Sequence, residues 1–193
     1  MKILLLCEPR SGSTKLANWF FRQGFDTRFE TIDPNSKWAL GKGLQEIKVA
    51  NNKHLVLKET FYPHLYNNSN LISYIDYCDK IIFVYRENTE QQGISYDHAV
   101  NFRTWDSHYT VDEKYTPKVE NIEYLNLLKS EFKNFISNYK KGTLIISYED
   151  LYIRGKIDII KEYLDLKEIL THKFPYGYKL GSTIKKSDSK KII

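Results

Sequence analysis

Short apolar runs alternate along the chain with stretches in which apolar residues recur at helical spacing. The runs are residues 3–6, 54–57, 81–85 and 143–146, and their continuous hydrophobicity is typical of strands buried on both faces of a parallel sheet. Helical spacing follows the first run and is clearest in 119–140 and again from 157. Strands alternating with helices predict right-handed crossovers and an α/β fold, a three-layer sandwich with a central parallel sheet.

Two segments, 33–45 and 102–117, show no regular period and are predicted as loops. Loops of that length are often functional lids. The chain has 193 residues, is 41% hydrophobic and contains no internal repeat or linker. We therefore expect a single domain over 1–193, with a basic C-terminal tail from about 173.

The positive charge is concentrated in that tail. The chain has 29 Lys+Arg against 24 Asp+Glu, a net charge of +5, and the six lysines and one aspartate from residue 173 onward supply all of it. This distribution excludes a strongly basic coating protein. It leaves open whether the tail is solvated or adds a late contact to a bound ligand.

Cysteine content and hydropathy limit the class of protein. The two cysteines, Cys7 and Cys78, are too few for a disulfide-rich secreted scaffold. They also lack the CxxC spacing or the neighbouring Cys and His residues that a structural zinc site needs. The run at 3–6 is too short for a signal peptide, and no stretch reaches the ~20 apolar residues of a membrane span. We expect a reducing, cytoplasmic location.

The first motif, Glu-Pro-Arg-Ser-Gly-Ser-Thr at 8–14, lies between the first strand and the first helix. Backbone N–H groups at such a junction suit a phosphate-like anion. The motif is not a Walker A loop, because Gly12 is followed by Ser13 and Thr14, and Lys15 comes too late. The alternative is that the serines simply cap the helix.

Two further motifs follow predicted strands. Arg86 ends the run 81–85 and precedes a helix with Gln92 and Ser95, and Ser-Tyr-Glu-Asp-Leu occupies 147–151 after the last run. A strand-end arginine can hold a phosphate bidentately while a serine donates a hydrogen bond. A surface ion pair with Glu87 or Glu90 is the alternative for Arg86.

Together these three motifs, in this order over residues 3 to about 165, resemble the sulfotransferases that use 3′-phosphoadenosine 5′-phosphosulfate (PAPS). The spacing from Arg86 to Ser95 is most similar to the bacterial trehalose-sulfotransferase-like group. The resemblance implies a P-loop NTPase-like sulfotransferase fold with PAPS as sulfuryl donor, and in-line sulfuryl transfer needs no metal. The resemblance also implies a hydroxyl acceptor, a carbohydrate or another small molecule. We expect no nucleic-acid partner, because no recognised nucleic-acid motif appears and the basic excess is confined to one end of the chain.

The resemblance assigns roles to individual residues. The implied cofactor-binding residues are Arg10, Ser11, Gly12, Ser13, Thr14, Arg86 and Ser95. Arg10 would also act in catalysis beside the bridging oxygen. Where related enzymes carry Lys-Thr-His-Leu-Pro, this chain has Lys-Glu-Thr-Phe-Tyr-Pro at 58–63. We therefore predict Glu59 as the base and Lys58 as a catalytic residue that steadies the bridging oxygen, with His64, His98 and His108 ranked behind Glu59. The alternatives are a solvated strand-end carboxylate for Glu59 and a surface position for each histidine.

The acceptor and two competing functions stay open. Four aromatic residues in 102–117 either stack on a sugar ring or fold back as packing: Phe102, Trp105, Tyr109 and Tyr115. A P-loop kinase or NTPase would need a Walker A lysine and an acid for Mg²⁺, but the run 81–85 ends in Arg86. A non-catalytic nucleotide-binding relative is the other alternative.

Overall fold

A five-stranded parallel sheet forms the centre of the computed structural model, which describes residues 1–32, 54–63, 68–103, 115–139 and 142–166. The strands are β1 (Lys2–Cys7), β2 (Asp26–Phe29), β3 (Leu55–Thr60), β4 (Lys80–Tyr85) and β5 (Thr143–Ser147). Their order is β2-β3-β1-β4-β5, and each neighbouring pair is parallel. The first strand therefore lies in the middle of the sheet.

Six helices connect the strands or follow them within the described residues. They are α1 (Ser13–Arg22), α2 (Asn68–Tyr77), α3 (Thr89–Phe102), α4 (Val119–Asn138), α5 (Tyr148–Tyr152) and α6 (Ile157–Leu164). The predicted helix over 119–140 is thus confirmed as α4. The spacing of its buried residues, Leu125, Leu128 and Phe132, is the periodicity that the sequence shows.

Alternate residues of β1 enter two separate cores, one on each face of the sheet. Ile3 and Leu5 pack with residues of α1, α5 and α6, whereas Leu4 and Leu6 pack with residues of α2 and α4. This alternation gives helix, sheet and helix layers. The predicted three-layer α/β sandwich is confirmed, and its parallel sheet with a loop between β1 and α1 is a P-loop NTPase-like fold.

One strand of the sheet was missed by the hydrophobic pattern. Strand β2, with the sequence Asp-Thr-Arg-Phe, lies at the edge of the sheet, and all four of its residues are half-buried. An edge strand with polar residues carries no continuous apolar run. The predicted loop at 33–45, most of the loop at 102–117 and the basic tail lie outside the described residues.

The carboxyl ends of the strands meet at one edge of the sheet. Cys7 of β1 is level with Thr60 of β3 and Val84 of β4, and Tyr85 is level with Ser147 of β5. The segments that follow these strands therefore lie side by side, which is where open α/β sheets bind ligands. No helix of the described ranges has the length and apolar character needed to cross a membrane.

Candidate active site

The loop between β1 and α1 has a conformation that depends on Gly12. Both Arg10 (φ 59°) and Gly12 (φ 76°) adopt left-handed backbone conformations. A Cβ at Gly12 would lie 2.7 Å from Cδ2 of Tyr148 and 2.8 Å from Cε2 of Tyr152. The Tyr152 hydroxyl also donates a hydrogen bond of 2.7 Å to the Gly12 carbonyl. Helix α5 therefore supports the loop directly, and only glycine fits at this contact.

The amino-terminal end of α1 opens onto this loop. Gly12 is the N-cap residue, and no side chain caps the helix. The alternative in which the serines cap the helix is therefore not what the structure shows. The Ser11 side chain is fully buried, and its Oγ has no hydrogen-bond partner within the described part of the chain. An uncapped helix end beside a buried hydroxyl fits an anionic ligand with several acceptor oxygens.

Arg86, at the end of β4, is a buried cation beside the loop. Its side chain is 7% exposed, its Nη1 donates to the Arg10 carbonyl at 3.3 Å, and its guanidinium carbon lies 4.6 Å from the centre of the Tyr148 ring. Glu87 instead pairs with Arg154. Arg86 therefore does not form the surface ion pair with Glu87 that the sequence left open.

Ser95 on α3 joins the same group of residues. Its Oγ accepts a hydrogen bond of 3.0 Å from Nε of Arg10. The structure thus brings together Arg10, Arg86 and Ser95, although they come from the loop, β4 and α3. Contacts with Arg10 therefore join three of the predicted cofactor-binding residues.

The third motif supports both the loop and the turn after β4. Glu149 of α5 accepts hydrogen bonds from the backbone N–H groups of Glu87 at 2.9 Å and Asn88 at 3.1 Å, and its Oε1 lies 4.0 Å from Nε of Arg86. Tyr148 and Tyr152 pack under Gly12. The motif therefore acts on the site through its neighbours.

At the end of β3, Lys58 and Glu59 point to opposite faces of the sheet, because side chains alternate along a strand. Lys58 pairs with the carboxylate of Glu30, which follows β2, and donates to Oγ1 of Thr60 at 2.7 Å. Glu30 also accepts from the Thr60 backbone N–H at 2.9 Å. Burial alone would raise the pKa of Glu30, but the Lys58 ammonium and the Thr60 hydrogen bonds hold that pKa below its usual value.

On the other face, Glu59 is fully enclosed. Its side chain accepts hydrogen bonds from the N–H of Thr31 at 2.8 Å, the Thr31 hydroxyl at 2.6 Å and the N–H of Ile32 at 3.4 Å. Burial, together with the nearby charge of Glu30, raises the pKa of Glu59 to about 8. The residue predicted as the base is therefore a buried acid that holds the chain after β2.

The remaining predicted candidates lie at the far end of α3 or outside the described residues. His98 packs against Phe102 with ring centres 4.5 Å apart and against Tyr115 at 5.4 Å. Phe102 stays 59% exposed despite its ring contacts with His98 and Tyr115. The described residues contain no group of three His, Cys, Asp or Glu side chains placed to hold a metal ion. Four candidates fall outside those residues: His64, Trp105, His108 and Tyr109.

Two charged residues near the site, Glu30 and Lys129, were not among those predicted from the sequence. Glu30 follows an edge strand that the hydrophobic pattern did not show. Lys129 lies four residues after Leu125 and three before Phe132, which places a lysine on the apolar face of α4. That position was the available signal, since a cation there needs polar partners from another element.

Comparisons with known proteins add little to this geometry. No protein-family model and no curated protein matches the chain. Similar solved structures include shikimate kinase from Bacteroides thetaiotaomicron, with 14% identity and a TM-score of 0.49, covering 86% of this chain and 99% of that one. A de novo designed protein with a P-loop NTPase fold has 14% identity and a TM-score of 0.31, covering 74% and 100%. Because both likenesses are distant, the fold class rests on the strand order and the loop.

Proposed function

We propose that the chain is a sulfotransferase that transfers a sulfuryl group from PAPS to a hydroxyl group of a carbohydrate or another small molecule. The observation that carries the proposal is the position of Arg86, buried at a strand end with its Nη1 3.3 Å from the Arg10 carbonyl. An arginine beside a loop that can bind phosphate would give two neighbouring anion sites, one at the loop and one at the arginine. PAPS has two anionic groups, the 5′-phosphosulfate and the 3′-phosphate, which suit such a pair.

The residues of the loop fit the 5′ group. Backbone N–H groups of Gly12, Ser13 and Thr14 lie at the start of α1, where the helix dipole favours negative charge. Ser11 adds a buried hydroxyl. Arg10 would stabilise the charge that develops on the bridging oxygen, and Arg86 with Ser95 would hold the 3′-phosphate.

Two carboxylates compete for the role of base, and Glu30 is the better placed. Glu30 shares a face of the sheet with Lys58 and is 21% exposed, whereas Glu59 is 1% exposed and bonded to Thr31. A base must also be ionised, which the lowered pKa of Glu30 favours and the raised pKa of Glu59 disfavours.

The proposed reaction moves one proton and one sulfuryl group. PAPS, when bound, supplies the sulfuryl group. Glu30 would accept the proton of the acceptor hydroxyl as the new oxygen–sulfur bond forms. Arg10 would stabilise the bridging oxygen as its bond to sulfur breaks, which leaves adenosine 3′,5′-bisphosphate. In-line transfer of this kind depends mainly on positioning and charge, by analogy with phosphoryl transfer.

A P-loop kinase or NTPase is the second candidate, because its fold is the same. The uncapped start of α1 would suit the phosphates of ATP equally well. However, the first lysine after Gly12 is Lys15, which lies inside α1 rather than in the loop. At the end of β4, Arg86 would also bring a cation, and not an acid for Mg²⁺, to the phosphates. A non-catalytic nucleotide-binding relative is the third candidate.

The direct test is a transfer assay in which each labelled donor is supplied in a separate reaction. The full chain is incubated with ³⁵S-labelled PAPS, or with γ-³²P-labelled ATP and Mg²⁺, and a panel of glycans and small hydroxyl compounds. We expect labelled product from PAPS alone, with adenosine 3′,5′-bisphosphate released in equal amount. Label transferred from ATP alone would favour the kinase. Binding of either nucleotide without transfer to any member of the panel would favour the non-catalytic relative.

A further inference from the structure

A polar network connects α4 to the strand end that carries Arg86. The Lys129 ammonium donates to the Arg86 carbonyl at 2.8 Å and to Oε1 of Gln92 at 2.7 Å, and it lies 3.6 Å from Oε2 of Glu8. Gln92 is fully buried, and Glu8 is 5% exposed. The lysine therefore reaches from the helix into groups that surround the site.

The same network extends to the loop. Glu8 accepts hydrogen bonds from the backbone N–H of Arg86 at 3.1 Å and from Nε2 of Gln92 at 3.1 Å. Nε2 of Gln92 also donates to the Pro9 carbonyl at 2.7 Å. The backbone of Arg86 is thus held at its N–H by Glu8 and at its carbonyl by Lys129. The residue before Arg10 is held by Gln92.

The network of Lys129, Glu8 and Gln92 is difficult to explain by its contribution to folding stability alone. Enclosing a carboxylate and an ammonium costs desolvation energy, and apolar residues of similar volume often give equal or greater stability. Apolar neighbours are available on the same face of α4, at Leu125 and Phe132. A paired charge fixes the direction and length of several contacts, which apolar packing does not.

We propose that Lys129 is a positioning residue that sets the distance between Arg86 and the loop, and so the affinity for a nucleotide with separate 3′ and 5′ phosphate groups. The inference rests on the proposed function. The other end of the loop is held independently, because the Gly12 carbonyl accepts its hydrogen bond from Tyr152. Loss of the Lys129 contacts should therefore affect recognition of the 3′-phosphate more than that of the 5′-phosphate.

The test compares the affinities of two nucleotides in each variant of the full chain, by titration calorimetry. Adenosine 3′,5′-bisphosphate carries both phosphate groups, and adenosine 5′-monophosphate carries one. We define the ratio as the affinity for the bisphosphate divided by the affinity for the monophosphate. Lys129→Met should lower this ratio by about tenfold, the effect of one charge-assisted contact. Lys133→Met, an equal change at an exposed position one turn along α4, should leave the ratio unchanged. Lys129→Arg, which keeps the charge and the donors, should restore part of the ratio.

A double variant tests whether Lys129 acts through Arg86. Arg86→Ala should lower the same ratio, and adding Lys129→Met should lower it little further, because the contact that Lys129 positions is already absent. Fully additive effects would overturn the inference. An unchanged ratio in Lys129→Met would also overturn it while leaving the proposed function intact.

Two further results are decisive. If the wild-type chain binds neither adenosine nucleotide, the proposed function fails and the inference fails with it. The pair Glu8→Gln and Lys129→Met, made together, removes both charges, so it guards against misfolding caused by one unpaired buried charge. If this double variant and Lys129→Met both fail to fold, the network serves the fold alone and the positioning role is wrong.

Discussion

The two sides of the candidate site use their cations differently. Lys58 is in direct contact with a carboxylate, Glu30, so its charge is largely balanced within the protein. Arg86 donates to the Arg10 carbonyl at 3.3 Å and to Oε1 of Gln91 at 3.4 Å. It lies 4.0 Å from the carboxylate of Glu149, which accepts hydrogen bonds from backbone N–H groups. In the proposed reaction, the Lys58 side would control a proton and the Arg86 side would bind the 3′-phosphate of the nucleotide.

This difference separates chemistry from binding. Groups on the Lys58 side should matter when a proton moves, and groups on the Arg86 side should matter when the nucleotide binds. Substitutions on the first side should lower kcat, and those on the second should raise KM for the nucleotide.

The largest expected effect is on turnover at the Lys58 side. Glu30→Gln should lower kcat by ~10² to 10⁴-fold with little change in nucleotide affinity, since it removes a proton acceptor and keeps the shape. The matched variant Glu59→Gln should retain most of the turnover. Steady-state kinetics with PAPS and an accepted hydroxyl compound measure both variants. The reverse result would return the role of base to Glu59, as the sequence predicts.

On the Arg86 side, the effect should fall on binding. Arg86→Ala should raise KM for PAPS by roughly tenfold to a hundredfold, the range for one charge-assisted contact, and change kcat much less. Arg154→Ala is the matched control, because Arg154 is an exposed arginine paired with Glu87 and Asp150. An Arg86→Ala enzyme whose KM equals that of the wild type would remove the main support for a 3′-phosphate site.

Between the two sides, the loop should be sensitive to one methyl group. Gly12→Ala places a Cβ against Tyr148 and Tyr152 at a left-handed backbone position. We expect a loss of about 1–3 kcal/mol in the free energy of unfolding, measured by urea denaturation. Gly24→Ala is an informative control, because Gly24 also has a positive φ but meets no atom within 4 Å. Equal losses in both variants would mean that backbone conformation alone, and not the contact with α5, requires Gly12.

The stability of the protein should also depend on pH through Glu59. Its pKa is raised from 4.5 to about 8 in the folded protein. Between these values the folded protein keeps a proton that the unfolded chain has released. The free energy of unfolding should therefore fall as pH rises through this window, by about 1.4 kcal/mol per pH unit at most, and level off above it.

Glu59→Gln isolates this contribution, because it has no proton to release. The difference in unfolding free energy between wild type and variant should shrink or change sign steadily across the window. A difference that does not change with pH would show that Glu59 has an ordinary pKa. Glu59 would then be ionised at neutral pH, which would favour it as the base.

The hydrophobic pattern was sufficient for the centre of the fold. Runs such as 81–85 are typical of a buried parallel strand, and β4 occupies Lys80–Tyr85. The motif at 8–14 was likewise placed correctly between β1 and α1, since a glycine-containing turn must join them. Edge strand β2 was missed because half-buried positions accept polar residues.

The sequence alone did not predict which charged residues of distant segments pair with each other. Nothing local indicates that Lys58 pairs with Glu30, which lies on a neighbouring strand end, or that Lys129 reaches Glu8. The sequence also predicted Glu59 as the base and Lys58 at the bridging oxygen of one site, although strand alternation puts them on opposite faces. Tertiary pairing of charged groups depends on the register of the sheet, which the hydrophobic pattern alone leaves undefined.

The most direct test of the account is nucleotide binding by the wild-type chain without metal. Adenosine 3′,5′-bisphosphate and ATP are titrated separately, each with EDTA and with Mg²⁺, and the melting temperature is followed. We predict that the bisphosphate stabilises the chain in EDTA, by about 2.7 kcal/mol at a hundred times its dissociation constant, and that Mg²⁺ adds nothing. Stabilisation by ATP with Mg²⁺ and none by the bisphosphate would contradict the sulfotransferase proposal and favour a kinase.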